Sequence, residues 1–296
     1  MTPARVRPVS VVFGPGRLGR ALVVALERSG YPVLGIVPRK RPVRSGSRKW
    51  RAVSMEVAAQ RASLLLLAVP DQAIEVVAGE LAAIPVDWSQ RVVLHHAGAL
   101  GPAPLAALKR RGAATGVLHP LQCFGDSRAA ASMFAGSRTR IEGDPTAIRV
   151  SRRLARDLGM RPLPLPPRMT AAQRQAYHAA ASMASNDVVA IVGAATALFE
   201  RCGLDRRTAL EALMPLVGGT LAQIGSEGLG AAITGPGVRG DLETIGHHLS
   251  RLRRFDPDAA EAHLHLTLSL VRLARSEGIP IPRGLTQAIR ALDRAR

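Results

Sequence analysis

Val9-Ser10-Val11-Val12-Phe13-Gly14-Pro15-Gly16-Arg17-Leu18-Gly19-Arg20-Ala21-Leu22 carries an apolar strand into G-x-G-x-x-G and then into a helix. That order suits a dinucleotide: Gly14 permits the tight turn, Gly16 lets the backbone approach a pyrophosphate, and Gly19 lets the helix pack closely on the strand. The backbone N–H groups of the first helical turn, at Arg17, Leu18 and Gly19, then face the phosphates. The surroundings agree. Ala21, Leu22, Ala25 and Leu26 form one apolar helical face, Ser29-Gly30 ends the helix, and Tyr31 to Val37 reads as the next strand.

At the end of that second strand an Asp or Glu would hold the ribose 2′-hydroxyl of NAD. Pro38-Arg39-Lys40-Arg41 stands there instead, and a guanidinium suits a 2′-phosphate through charge and forked hydrogen bonds. The expected cofactor is therefore NADP(H), with Arg39 as its contact. A solvated basic loop is the competing reading of Arg39, because Arg44, Arg48, Lys49 and Arg51 continue the run.

Further along, Ala62 to Val69 is a continuous apolar run, as expected of a parallel strand covered on both faces. Pro70-Asp71 then starts a helix. Arg91 to His95 and Ala114 to His119 read as two more strands around a helix near Pro104 to Arg110. Thr139 to Glu142 and Arg161 to Leu165 extend the sheet with a helix between them, Thr146 to Leu158, and the prolines make the last strand an edge or a linker. After Pro164-Leu165-Pro166-Pro167 the pattern turns helical throughout. The expected architecture is an α/β Rossmann domain with a mainly parallel sheet over residues 1–166, followed by an all-α domain over 167–296. In the second domain a long helix runs to Arg201-Cys202-Gly203, shorter helices follow at Arg207 to Leu216 and around Ala222, and Gly228 to Gly240 is a loop before helices from Asp241 and Pro257.

The 296 residues, 47% of them hydrophobic, are enough for two packed domains. The formal charge of +18 invites a nucleic-acid reading. Its basic residues are scattered and almost all Arg, however, and aromatics are only 3%, too few for base-stacking platforms. No specific nucleic-acid partner is expected. Cys123 and Cys202 are too few and too far apart for a disulfide framework or a cysteine zinc site. No apolar run approaches a membrane span, and the longest, Val188 to Phe199, reads as a buried helix; a cytoplasmic location without membrane contact is expected.

Four motifs stand in order: the Gly14 loop, Ala68-Val69-Pro70-Asp71, His119-Pro120-Leu121-Gln122-Cys123-Phe124, and Ile233-Thr234-Gly235-Pro236-Gly237-Val238-Arg239-Gly240-Asp241. With Tyr177-His178 and Asn186 between the last two, the chain resembles Rossmann-like proteins that carry a C-terminal domain of unknown function 2520. The resemblance spans essentially the whole length. It is similar in layout to pyrroline-5-carboxylate reductase, ketopantoate reductase and the β-hydroxyacid dehydrogenases, in which substrate lies between a Rossmann domain and a helical domain that often dimerises. It implies an oxidoreductase for a small carbonyl or imine substrate, a homodimer, and cofactor contacts at Val69, Pro70, His95 and Gly98. One departure stands out: where the family usually reads His-x-Ser-Gly-Ala, this chain has His95-His96-Ala97-Gly98-Ala99. The serine's role is either lost or moved to His96.

Hydride transfer to a carbonyl or imine needs a proton donor and a polar clamp. Ketopantoate reductases and β-hydroxyacid dehydrogenases use a lysine early in the second domain, and this chain has none after Lys109. A ketopantoate-reductase-like enzyme is therefore the lesser alternative, alongside a non-catalytic NADP-binding sensor or scaffold. His178 holds the comparable place. Ser182 at i+4 is offset by about 40° and Asn186 at i+8 by about 80° around an ideal helix, so the three can share a face; hydrogen bonding inside a helix interface would account for His178 and Asn186 equally well. His119 sits where a strand ends, at the edge where open α/β sheets bind ligands. By the resemblance, Gln122 joins it on a substrate-side loop, and the bland alternative is a turn shaped by Pro120. Cys123 reads as a packed thiol.

The Thr234 to Asp241 loop is similar in position to the carboxylate-binding loop of pyrroline-5-carboxylate reductases. Thr234 and Arg239 are thus expected to hold an anionic substrate group, with Asp241 as a further contact or as the N-cap of the following helix. His247, His248, His263 and His265 lack the carboxylates or cysteines of a metal set, so no metal is expected.

Overall fold

Alternate residues of the central strands leave opposite faces of one sheet, and both faces are covered. The computed structural model describes residues 7–38, 44–45, 48–49, 51–125 and 128–294. Two compact units divide between Ser185 and Asn186, beyond the proline-rich stretch at which the composition changes.

The first unit runs β1 (Ser10–Phe13), α1 (Arg17–Arg28), β2 (Val33–Val37), a small β3–β4 pair (Arg44–Ser45, Arg48–Lys49), α2 (Met55–Arg61), β5 (Leu64–Leu67) and α3 (Asp71–Ala83). It continues with β6 (Val92–His95), α4 (Ala106–Arg110), β7 (Ala114–Leu121), β8 (Arg138–Gly143), α5 (Pro145–Asp157), β9 (Arg161–Pro162) and α6 (Ala171–Ser182). Seven strands form one sheet in the order β2-β1-β5-β6-β7-β8-β9. Among the described residues of this sheet, only β7 and β8 pair antiparallel. Because strand side chains alternate, Val12, Leu64, Leu66 and Leu94 meet Leu22 and Leu26 of α1 and Leu154 of α5 on one face. Val11, Phe13, Leu65, Leu67 and Val93 meet Ala58 of α2 and Ile74 and Leu81 of α3 on the other. This is why the β5 run, Leu64 to Leu67, carries no polar residue. The edge strand β9 is two residues long, as its prolines require.

The first turn of α6 is held by a reciprocal cap: Thr170 accepts from the Gln173 backbone while the Gln173 side chain accepts from Thr170 N–H. A π-turn, Met183–Asp187, follows.

The second unit contains α7 (Val188–Arg201), α8 (Arg206–Glu227), the short α9 (Leu229–Ala232) and α10 (Pro236–Arg239), then α11 (Leu242–Phe255), α12 (Pro257–Ser276) and α13 (Leu285–Arg294). Ile245, Leu249, Leu264, Leu268, Val271, Leu285 and Ile289 form a core among the last three. Three expectations are corrected here. Arg207 to Leu216 and the Ala222 region belong to one helix that passes through Pro215; the ring removes a single intrahelical bond, and the turns on either side are long enough to keep the helix. The Gly228 to Gly240 stretch is not all loop, since α9 and α10 lie in it. The Val188 to Phe199 helix is not buried: within the chain α7 buries only Thr196, and Val189 is 72% exposed. Apolar composition is legible in sequence, whereas the presence of a covering element is not.

Candidate active site at the carboxyl edge of the sheet

Gly14, straight after β1, is buried at φ 99°, and its N–H donates to the Val37 carbonyl at 3.0 Å. A Cβ there would overlap the Ala68 carbonyl oxygen, and one on Gly19 would overlap the Gly14 carbonyl oxygen. The first and third glycines of the motif are thus demanded by the protein's own packing. Gly16 is different: it is exposed, has an ordinary φ of −66°, and among the described residues beyond its chain neighbours nothing lies within 4 Å of where its Cβ would stand. It begins α1, which has no side-chain cap and no acid in its first turn. Arg17 is exposed there and Leu18 half-buried. An uncapped helix start beside open space fits an anionic group.

A cavity of about 510 Å³ adjoins this turn, walled by Phe13, Val37 and Val69 and edged by Ser54, Glu56 and Glu80. Apolar walls with a polar rim suit the adenosine half of a dinucleotide. Pro70 is the N-cap residue of α3. The contributions of α2 and α3 were not anticipated from sequence; the available signal was Ser54, which caps α2 by accepting from Val57 N–H. The Glu56 carboxyl is held below the usual range by its own backbone N–H and by Ser54. Arg39, Lys40 and Arg41 lie outside the described residues.

On the same carboxyl edge, β6 ends in a turn stapled from below. His95 is fully buried; its Nδ1 accepts from Ala97 N–H at 3.2 Å and its Nε2 donates to the Gly101 carbonyl at 2.9 Å. Burial pushes its pKa down to about 4. Both ring nitrogens are therefore committed to the turn. His96 Nδ1 donates to the Leu118 carbonyl, and its buried Nε2 has no partner among the described residues. Burial lowers its pKa to about 4 as well.

Arg140 of β8 is 0% exposed. Its Nη1 meets Glu142 Oε2 at 2.7 Å, and its Nη2 donates to the carbonyls of Ala97 at 3.1 Å and Leu100 at 2.7 Å. Glu142 Oε1 lies 3.5 Å from Nη1 of Arg174, which also donates to the Met169 carbonyl. One carboxylate thus holds two guanidinium groups, and the first of them holds the turn after β6.

Above that turn stand three rings. His119 of β7 is half-buried, with Nδ1 2.8 Å from the Tyr177 hydroxyl. His119 and His178 rings are 6.4 Å apart, edge to face. Both rings close on Gly98, since a Cβ there would overlap His178 Cδ2 and lie 2.9 Å from His119 Nε2. Burial first, then Arg140, pushes the His119 pKa down to about 3. Burial raises that of Tyr177 to about 12, opposed by the Arg140 guanidinium, whose centre is 5.6 Å from the tyrosine ring. His178 is exposed.

Gln122 is not tied into this cluster. Its side chain spans its own loop, donating to the Met133 carbonyl at 3.4 Å and accepting from Cys123 N–H at 2.9 Å. Cys123 is exposed, with Sγ 2.6 Å from Ser185 Oγ, which corrects the expectation of a packed thiol. Ser182 is half-buried one turn after His178 on α6.

Residues 1–120 match the model of a Rossmann-like domain, and residues 137–270 match that of the domain of unknown function DUF2520. The chain joins a Rossmann-like domain to a DUF2520 domain. No curated protein matches it. Among solved structures, it is similar to a protein from Bacteroides fragilis provisionally described as an NADP oxidoreductase. That match has 20% identity and a TM-score of 0.70, covering 91% of this chain and 100% of that one. It is similar to the NADP-bound pyrroline carboxylate reductase of Plasmodium falciparum, with 11% identity, a TM-score of 0.58, and 90% and 100% coverage. It is also similar to the Aspergillus terreus reductive aminase in complex with NADPH and ethyl levulinate, with 17% identity, a TM-score of 0.59, and 98% and 100% coverage. At these identities the likeness is one of fold.

The DUF2520 match begins inside the sheet, so Arg140, Glu142, Tyr177 and His178 belong to it while Gly98 and His119 belong to the Rossmann-like match. Asn186 lies in the π-turn, and the ideal-helix offset that relates His178 to Ser182 does not extend to it. In the second unit, Thr234 is exposed ahead of α10 and Arg239 is exposed at its end. Asp241 caps α11, accepting from the Thr244 N–H at 3.0 Å and hydroxyl at 2.7 Å; Thr244 first, and Arg239 less, holds its carboxyl low. His248 and His263 rings pack 5.4 Å apart. No group of three or more His, Cys, Asp or Glu fit to hold a metal occurs among the described residues.

Proposed function

We propose that this Rossmann–DUF2520 protein is an NADP(H)-dependent oxidoreductase for a small, anionic carbonyl or imine substrate. The observation that carries the reading is the convergence of His119 and His178 on Gly98 at the sheet edge onto which the Gly14 turn also opens. When bound, the nicotinamide supplies the hydride. The backbone at Gly16 and the start of α1 would hold the pyrophosphate, the cavity beside Val37 and Val69 would take the adenosine, and Arg39 would meet a 2′-phosphate. His178, exposed to water, would hold the proton given to the reacting group, and His119 would offer that group its Nε2 edge. Arg140 and Arg174 against the single Glu142 leave the strand end positive, which favours an anionic substrate. Ala97 brings no hydroxyl, and His96 is buried beneath the turn; the chemistry therefore rests on His119 and His178.

The test is cofactor preference followed by turnover. NADPH should bind more tightly than NADH by fluorescence titration, and Arg39→Asp should shrink or invert the difference. A panel of keto and imino acids followed by NADPH absorbance should then contain a substrate. Equal affinity of the unaltered protein for both nucleotides would remove Arg39 from the site.

We also propose that the protein is a homodimer whose second copy covers α7 and α8. Val189, Leu216 and Leu221 are 72%, 68% and 54% exposed on two helices that pack together, and exposed large apolar side chains gathered on neighbouring elements mark an interaction surface. The continuous helical span Ala171–Arg201 contains an 18-residue stretch of mean hydropathy 1.4, by length and composition alone sufficient to cross a membrane. Its first turns, however, are engaged with the sheet through Arg174 and Tyr177, which favours a protein partner over lipid. Light scattering should give twice the chain mass without detergent, and Val189→Glu should lower it toward one chain. A monodisperse monomer, or a requirement for detergent, would overturn the dimer.

A further inference from the structure

We propose that Tyr177 is a positioning residue that holds His119 as the neutral tautomer with its proton on Nε2, so that the seat at Gly98 presents an N–H donor to the oxygen or nitrogen of a carbonyl or imine. The identity of that ligand rests on the oxidoreductase reading, while the tautomer is a property of the protein alone.

The direction of the hydrogen bond decides the tautomer. The Tyr177 hydroxyl and His119 Nδ1 are 2.8 Å apart. A phenol is a stronger acid than a neutral imidazole N–H, and an imidazole nitrogen is a stronger base than a phenol oxygen, so the O–H donates and Nδ1 accepts. A neutral ring whose Nδ1 accepts carries its hydrogen on Nε2. His95, His96, Arg140 and His178 surround the ring, and none is a carboxylate that would favour a second proton. Burial and the neighbouring Arg140 push the imidazole toward its neutral form, so the choice between its two neutral tautomers falls to Tyr177.

Nε2 is also the atom that meets the seat. It lies 2.9 Å from the point a Gly98 Cβ would occupy, a point the His178 ring also closes on, so only glycine lets both rings approach the backbone there. Arg140 ties the two ends of the device together, standing over the Tyr177 ring and holding the Ala97 and Leu100 carbonyls on either side of Gly98. A donor-only group selects hydrogen-bond acceptors and discriminates against an ammonium, which has no lone pair to offer.

The test reads the ring directly, in substrate-free protein. In histidine labelled with ¹⁵N, with His119 assigned by its loss in His119→Gln, Nδ1 should resonate in the unprotonated range and Nε2 in the protonated range throughout pH 5 to 8. Tyr177→Phe should move the Nδ1 resonance toward that of an unbonded, tautomer-averaging ring. It should also lower kcat by about tenfold with NADPH affinity unchanged, the scale of one well-aligned hydrogen bond. A wild-type His119 with its proton on Nδ1, or doubly protonated at neutral pH, overturns the proposal even if Tyr177→Phe does not fold. An Nδ1 resonance unmoved in a folded Tyr177→Phe overturns it too. The expected ring signals in a protein that reduces no carbonyl or imine would instead count against the oxidoreductase reading and leave the tautomer assignment standing.

Discussion

Glu142→Ala should cost the first unit about 3–5 kcal/mol, because it strands a buried guanidinium without its carboxylate. Arg140 is fully enclosed and has paid its desolvation on folding; Glu142 Oε2 at 2.7 Å is the anion that offsets it. Its Nε already lacks a hydrogen-bond partner among the described residues, so the site has little capacity to absorb a further loss. Thermal unfolding should show the midpoint falling by about 10 °C or more. Glu142→Gln, which keeps an acceptor in the same shape, should cost less. A Glu142→Ala protein that melts with the wild type would mean that the pair is not buried in solution, and the turn after β6 would then need another explanation for its order.

Gly14→Ala and Gly16→Ala should separate the two duties of the glycine loop. At Gly14 the backbone is left-handed, and a methyl would strike the Ala68 carbonyl oxygen. The strain alone is worth about 1–3 kcal/mol, and relieving the clash must shift β1 from β5, so both stability and dinucleotide binding should suffer. At Gly16 an alanine meets no close neighbour among the described residues, and φ is ordinary. Stability should hold or rise by a few tenths of a kcal/mol through the less flexible unfolded chain, while NADPH affinity falls by about tenfold or more, since the methyl enters the space assigned to the pyrophosphate. Chemical denaturation and NADPH fluorescence on both variants check this. A Gly16→Ala protein that binds NADPH as the wild type does would place the phosphates elsewhere.

Local chemistry made much of the molecule legible before its structure. The glycine turn, the all-apolar β5, the helix start at Pro70 and the Asp241 cap each depend on neighbours within a few residues, so the signals sit side by side in the chain. Pro215 is the instructive failure: proline weakens a helix locally, but α8 extends far enough on both sides to keep its other bonds. Thr139-Arg140-Ile141-Glu142 was legible as a strand, yet nothing in the alternation said that Arg140 would be the most enclosed charge in it. That depends on carbonyls 40 and 43 residues away.

The candidate site divides along the same line. His119 could be placed on a strand and His178 on a helix from sequence alone, because strand and helix periodicities act locally. The strand was expected to end at His119, and it runs on to Leu121 because β8 pairs with it antiparallel there. That the two rings meet over Gly98, and that Tyr177 reaches a nitrogen 58 residues distant, was decided only when β7 and α6 packed. The sequence by itself determined the parallel sheet, the dinucleotide turn and the order of the two domains, since backbone geometry and apolar periodicity act over short spans. The tertiary structure alone decided which charges are buried, which imidazole nitrogen lies against Gly98, and that most of α7 is exposed among the described residues. Burial and hydrogen-bond direction are properties of groups brought together across the fold.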